Sequence, residues 1–262
     1  MINIPSTKAF FVSTGRTGTH FIEKFFNSHF DNICAYHEPQ PSRHLRILSN
    51  LYYSGVVTDG MLSSVYLMSR KRLFNRISCD IYIEANPFLY GFANSLIQTF
   101  PNSIIFHIVR DPRSYIESQI NFGSFRGIKG LVENFLPFWF TCKPSAYKKL
   151  EGYNWRNMSD IEKVAWRWYV INYELSEFGK NNKNYYLLRY EDVFNSRRDG
   201  LKKILNILDL TMNEKQIITY STGRVRVSKL NVISNWKKWD KKDLESAVNI
   251  CRPLMDLYGY LP

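Results

Sequence analysis

The sequence predicts an α/β fold, a central parallel sheet flanked by helices. Three observations predict it. Short apolar runs of strand length alternate along the chain with segments of helical periodicity. Two of those runs end in turns carrying Gly, Ser, Thr or Arg that lead straight into a helix pattern. The 262 residues, 45% of them hydrophobic, are enough to cover a sheet on both faces within one domain, residues 1–262.

The first strand is residues 9–13, whose Ala9-Phe10-Phe11-Val12 run has no polar interruption, as a strand covered on both sides requires. A turn of Ser13 to Gly18 follows, then a helix over residues 19–29 that turns Phe21, Ile22 and Phe25 inward. Residues 33–36 and 81–84 are the second and third strands, residues 90–100 a helix, and residues 103–109 the fourth strand. Asp111 caps a helix that starts at Pro112. Residues 121–157 are rich in Gly, Pro, Phe and Trp without steady periodicity and are expected to form an insertion or lid over the site. Ser159 and Glu162 make a capping box. Ile161, Val164, Trp168, Ile171, Leu175 and Phe178 then recur in steps of three and four, one inward face of a long helix. Residues 185–189 are the fifth strand, 202–208 a further helix, and 243–258 the closing one.

Two strand ends carry chemistry. In Ser13-Thr14-Gly15-Arg16-Thr17-Gly18-Thr19-His20 a strand turns into a helix N-terminus, where unpaired amides and the helix dipole attract an anion. Gly15 and Gly18 allow close backbone approach, Ser13, Thr14, Thr17 and Thr19 offer hydroxyls, Arg16 supplies a fixed cation, and His20 stands at the helix start. The Lys-Ser/Thr pair that closes a Walker A loop is absent. At the second strand end, Arg110 closes the fourth strand and Ser118 lies eight residues on, along the helix that Asp111 caps. Both segments fall where an α/β sheet places ligands, at the carboxyl edge of its parallel strands.

Gly15-Arg16-Thr17-Gly18-Thr19 followed by Arg110 and Ser118 resembles the sulfotransferases that use 3′-phosphoadenosine-5′-phosphosulfate (PAPS). The resemblance implies a P-loop-NTPase-like sulfotransferase fold. It implies that the first loop grips the 5′-phosphosulfate and that Arg110 and Ser118 grip the 3′-phosphate. Many cytosolic members place Lys where this chain has Arg16, and carbohydrate- and protein-modifying members often have Arg. Glu38, 22 residues after Arg16, resembles the base of protein-tyrosine sulfotransferases, and His37 is its rival because other branches use His. Alternation along a strand predicts that only one of the two faces the site. The Lys that tyrosine sulfotransferases place before Pro87-Phe88 is missing, which leaves its contact with the sulfuryl oxygens to another group or to Asn86. Residues 188–193 resemble a strand-end segment common in the family. Residues 223–231, before Trp236, resemble the basic loop over the nucleotide, with Arg226, Ser228 and Lys229 as candidate phosphate contacts. The implied reaction moves a sulfuryl group from PAPS to an acceptor hydroxyl, on a carbohydrate, with no metal.

Composition narrows the alternatives. A net charge of +12 and an isoelectric point near 9.5 favour anionic partners. No recognised nucleic-acid motif accompanies that charge, which argues against a nucleic-acid-binding protein. An atypical P-loop phosphotransferase is disfavoured by the missing Lys-Ser/Thr and the lack of an evident Mg²⁺ carboxylate. Cys34, Cys79, Cys142 and Cys251 are widely spaced, without a C-x-x-C pair, and read as thiols of a reducing compartment. A core strand starts within about eight residues of Met1 and no apolar run is long enough to span a membrane, so a cytoplasmic enzyme is expected.

Overall fold

Phe10 and Val12 point to one side of their strand, Ala9 and Phe11 to the other, and all four are fully buried. That double burial makes the first strand the middle of the sheet. The computed structural model describes residues 5–125, 130, 133–135, 141–147, 149, 152–221 and 233–260. Its sheet comprises β1 (Thr7–Ser13), β2 (Ile33–His37), β3 (Ile81–Ala85), β4 (Ile104–Val109) and β5 (Tyr185–Arg189). All four pairings are parallel, in the order β2-β3-β1-β4-β5. The chain leaves β1 towards the β2 edge and leaves β4 towards the β5 edge. The carboxyl ends of β1 and β4 therefore flank the point where the strand order reverses, and a crevice opens there.

The helices are α1 (Thr19–His29), α2 (Arg43–Tyr53), α3 (Asp59–Phe74), α4 (Ala93–Thr99), α5 (Pro112–Asn121), α6 (Asp160–Lys180), α7 (Tyr190–Phe194), α8 (Asp199–Ile207), α9 (Glu214–Thr219) and α10 (Lys241–Tyr258). One side of the sheet packs Phe11, Ile83 and Phe106 against Phe25 and Phe26 of α1 and Leu201 and Ile204 of α8. The other packs Phe10, Val12 and Tyr82 against Leu45, Tyr66 and Leu96 from α2, α3 and α4. A third cluster joins α5, α6 and α10 through Ile116, Trp168 and Met255. The capping box of Ser159 and Glu162 is formed, and Ile161, Val164, Trp168, Ile171 and Leu175 are buried along α6 as their spacing predicts.

Some elements differ from the sequence reading. The helix expected over residues 90–100 is shorter, because Pro87–Leu89 forms a 3₁₀ turn that the Asn86 side chain caps, and α4 begins only at Ala93. Helices α2, α3 and α9 were not legible. In α3 the buried residues are Leu62, Tyr66, Arg70 and Phe74, four apart. A charge inside that stripe, and Met61, Leu67 and Met68 exposed outside it, erase the amphipathic signal. The expected insertion at 121–157 is divided. Cys142, Tyr147 and Trp155 are core against α6, while Phe122, Ser124 and Glu133 border the crevice; its other residues include some outside the described ones. Among the described residues no helix is long and apolar enough to cross a membrane.

Candidate active site

The loop after β1 is held open by its own backbone. Gly15, Arg16 and Gly18 all have positive φ (85°, 58° and 77°). Gly18 is the cap residue of α1 and has no side chain to satisfy the first amides of that helix, as a helix N-terminus open to an anion requires. A Cβ at Gly18 would also overlap the tip of the Phe194 ring, which would have to move to admit it. Ser13 Oγ accepts from the Gly15 amide (3.1 Å) and from Thr17 Oγ1 (2.7 Å). Ser13 and Thr17 are fully buried, and their side chains brace the loop without lining the cavity, unlike the ligand contacts expected of them. Thr14, Gly15, Arg16, Gly18, Thr19 and His20 do line it. Thr14 Oγ1 is buried with no hydrogen-bond partner among the described residues. Such an orphan suits a bound ligand oxygen.

The segment after β4 arrives at the same place. Asp111 caps α5 by accepting from the Arg113 amide (2.8 Å), with Pro112 at the first turn as read from sequence. Arg16 Nε donates to Ser118 Oγ at 2.9 Å, and Arg110 Nη1 donates to the Arg16 carbonyl at 2.9 Å. Arg110 stacks over the Tyr190 ring at 4.5 Å, and its backbone carbonyl accepts from Trp168 Nε1 (2.9 Å). Arg110 Nε is buried and unpartnered among the described residues. Glu191 serves this frame by accepting from the Asp111 amide and from the Tyr260 hydroxyl. Arg226, Ser228 and Lys229 lie outside the described residues. On the described side, Ile233 and Asn121 exchange two hydrogen bonds, and Glu117 accepts from the Trp236 amide (3.2 Å).

At the end of β2, His37 and Glu38 both line the cavity. This corrects the expectation that only one would. The strand stops at His37, and Glu38 turns into positive φ (46°), so strand alternation does not extend to it. His37 Nε2 lies 3.6 Å from Glu38 Oε1. Its Nδ1 contacts the Ala85 carbonyl at 3.1 Å, an oxygen that can only accept, so Nδ1 carries the proton and Nε2 the lone pair of the neutral ring. Burial lowers the His37 pKa below its usual 6.5, although Glu38 and the Ala85 carbonyl act against the shift. The His20 ring is 5.1 Å away, with its own Nδ1 on Glu23 at 2.9 Å.

Asn86 does not face the cavity. It is fully buried, with Nδ2 donating to Glu84 (2.8 Å) and Ser42 (3.2 Å) and Oδ1 accepting from the Phe88 amide. Any role with sulfuryl oxygens is thereby withdrawn. Glu84 is the centre of a buried network that also receives Arg70, Tyr66 and Tyr82. Arg70 continues to the Pro41 carbonyl (3.0 Å) and Ser42 Oγ (3.1 Å), which anchors the segment just after Glu38.

The cavity that these groups share has a volume of about 1180 Å³. Sequence reading missed Arg43, Arg46, Arg167 and Arg198 among its lining. Arg43 and Arg46 stand on α2, which was not legible, Arg167 lies outside the inward stripe read along α6, and Arg198 precedes α8; only the tertiary fold brings them to one cavity. Arg198 has a signal in retrospect: a non-Gly residue at φ 56°, its guanidinium over Phe21 (5.3 Å) and Phe194 (5.7 Å). Among the described residues no group of His, Cys, Asp or Glu is arranged to hold a metal ion.

No family model matches the sequence, and no curated protein matches it significantly. Solved structures do match. Mouse sulfotransferase SULT7A1, complexed with PAP, is 16% identical with a TM-score of 0.58, over 97% of this chain and 86% of that one. Sulfotransferase STF9 from Mycobacterium avium is 12% identical with a TM-score of 0.55, over 98% of this chain and 77% of that one. The sulfotransferase domain of the curacin biosynthetic pathway is 15% identical with a TM-score of 0.51, over 96% and 98%. The fold of this chain is that of these sulfotransferases.

Proposed function

We propose that the protein is a PAPS-dependent sulfotransferase that transfers a sulfuryl group to a hydroxyl of a carbohydrate acceptor. The observation that carries this reading is the 2.9 Å bond from Arg16 Nε to Ser118 Oγ. It joins two anion-holding segments, 102 residues apart in sequence, at the crevice between β1 and β4. The loop after β1 and the first amides of α1 hold the 5′-phosphosulfate, and Arg110 with Ser118 holds the 3′-phosphate. Phe88, Tyr90 and Phe122 line the same cavity as the basic groups, an apolar and polar mixture that supports a sugar as acceptor.

In the reaction the acceptor oxygen forms a bond to sulfur as the bond from sulfur to the bridging oxygen breaks. The bond pair leaves on the 5′-phosphate of adenosine 3′,5′-bisphosphate (PAP), and the acceptor proton passes to the His37–Glu38 pair. Arg16 offsets the charge that builds on the leaving oxygen. A guanidinium stays protonated, so it acts as a charge and a donor, never as a general acid. Because Arg16 supplies this charge, transfer is expected to run unchanged in EDTA. Loss of activity restored by Mg²⁺ would instead indicate a phosphotransferase.

Calorimetry with PAP tests the nucleotide site. Arg110→Ala and Ser118→Ala are each expected to weaken PAP binding by roughly 1.5–3 kcal/mol, the worth of a hydrogen bond to a charged group. Wild-type affinity in both variants would remove the 3′-phosphate assignment, and tighter binding of Mg²⁺-ATP than of PAP would remove the sulfotransferase reading.

A further inference from the structure

Arg46 and Arg43 project from α2, one turn apart on the same helix face, and both line the cavity. They stand on the β2 side of the first loop, away from Arg110 and Ser118. Neither forms an ion pair among the described residues. Arg167 enters the same cavity from α6. Its Nε donates to the Tyr115 hydroxyl (3.1 Å), which in turn donates to the Thr14 carbonyl (3.3 Å), so the donor loop fixes its place. Its Nη2 is buried with no partner among the described residues. Arg46 and Arg167 share that cavity with Tyr90, whose hydroxyl donates to Asn50 Oδ1 (2.6 Å) and to the Arg46 backbone carbonyl (3.4 Å).

Guanidinium groups that enter one cavity from α2 and α6, one with a buried unpaired nitrogen, repel each other and favour an anion among them. A planar fork of N–H groups is the geometry that takes a carboxylate or sulfate in two parallel hydrogen bonds. Glu133 also lines the cavity and favours the Arg167 charge, with its Oε2 accepting from the Phe125 amide at 3.0 Å. Yet Arg167 Nη2 stays without a hydrogen-bond partner, and Arg43 and Arg46 without an ion pair, among the described residues.

We infer that Arg46 and Arg167, assisted by Arg43, bind an anionic substituent of the acceptor, a carboxylate or sulfate, and so select acidic over neutral sugars. The word acceptor rests on the sulfotransferase reading; the anion site itself does not. Because Tyr115 links Arg167 to Thr14, the anion is held at a set distance from the transferring group, so the site decides which hydroxyl is presented.

The test uses the full chain and three tetrasaccharides: one with glucuronate in alternate positions, its carboxyl-reduced neutral form, and that neutral form carrying one O-sulfate. Each is titrated with and without saturating PAP. At least one charged sugar is expected to bind about tenfold or more tightly than the neutral form, the effect of a hydrogen bond to a charged group. Which of the two gains more identifies the anion. Arg46→Gln should reduce the preference below about threefold, Arg43→Gln should reduce it less, and Arg46→Lys should restore part of it, as charge without the fork. All three should bind PAP like the parent. Equal binding of all sugars, no binding of any, or a preference that survives Arg46→Gln overturns the inference. Failure of PAP to bind while the charge preference persists would overturn the sulfotransferase reading and leave the anion site standing.

Discussion

Glu38→Gln is expected to slow sulfuryl transfer by about 10²–10⁴-fold while PAP binds as before, the range for loss of a general base. On the proposed reading the acceptor hydroxyl gives up its proton as its oxygen bonds to sulfur, and His37 and Glu38 at the end of β2 receive it. The lone pair of His37 Nε2 faces Glu38 Oε1 across 3.6 Å, a gap that is favourable once a proton occupies it. Gln keeps the size of Glu38 but removes both the basic oxygen and the negative charge that stabilises an imidazolium. His37→Gln should cost less, because the carboxylate remains. The pH profile separates the two roles. Burial lowers the His37 pKa below its usual 6.5, so the neutral ring persists through pH 7, and whatever part of the rate needs His37 as a proton acceptor should be flat there and fall only on acidification. Glu38 raises the His37 pKa, so in Glu38→Gln the residual activity should hold to still lower pH. A full rate in both single variants would place the base elsewhere and withdraw the acceptor site beside β2. PAPS hydrolysis and transfer to the glucuronate tetrasaccharide are the two readouts.

Arg70→Met is expected to destabilise the fold by about 3–5 kcal/mol, the cost of breaking a buried ion pair from one side. Arg70 and Glu84 are both 0% exposed and meet at 2.6 Å. Burial on its own would push the Glu84 pKa up. Arg70, with hydrogen bonds from Arg70, Asn86 and Tyr82, outweighs burial and holds the carboxyl below its usual range. In the parent, therefore, Glu84 contributes stability above the unfolded carboxylate pKa of about 4.3, and that contribution is lost as pH falls through the lower folded value. In Arg70→Met burial dominates, the folded pKa rises above the unfolded one, and acidification relieves the variant. Denaturant melts at pH 7 and pH 5 should show the stability gap narrowing at the lower pH. Adding Glu84→Gln to Arg70→Met should recover part of the loss at pH 7. A gap that widens with acid, or a double variant no more stable than the single, would mean that Glu84 is not the charge left stranded. Arg70 also holds Pro41 and Ser42, so the variant should lose turnover at temperatures where it is still folded.

The strands and the first helix were legible because each is decided locally. A strand covered on both faces needs an unbroken apolar run, and residues 9–12, 81–83 and 104–106 have one; β5 has the same ends in sequence and structure. Arg16, Arg110 and Ser118 were legible for a related reason. A turn that frees amides at a helix start needs Gly, and a capped helix needs Asp and Pro, so the residues around them announce their place. Arg70 and Glu84 gave no such notice. A charge in a buried helix stripe is recognisable only when its partner strand is beside it.

By itself, then, the sequence determined the parallel α/β sheet and the turns at the ends of β1 and β4, since both follow from periodicity and from backbone requirements within a few residues. Only the tertiary structure decided that Ser13 and Thr17 brace the loop, that Asn86 serves Glu84, and that His37 and Glu38 face one cavity together. It alone brought Arg46 and Arg167 from separate helices into one cavity. Which way a side chain points at the end of a strand, and which distant charge it meets, depend on packing between elements far apart in the chain, and no local pattern encodes that.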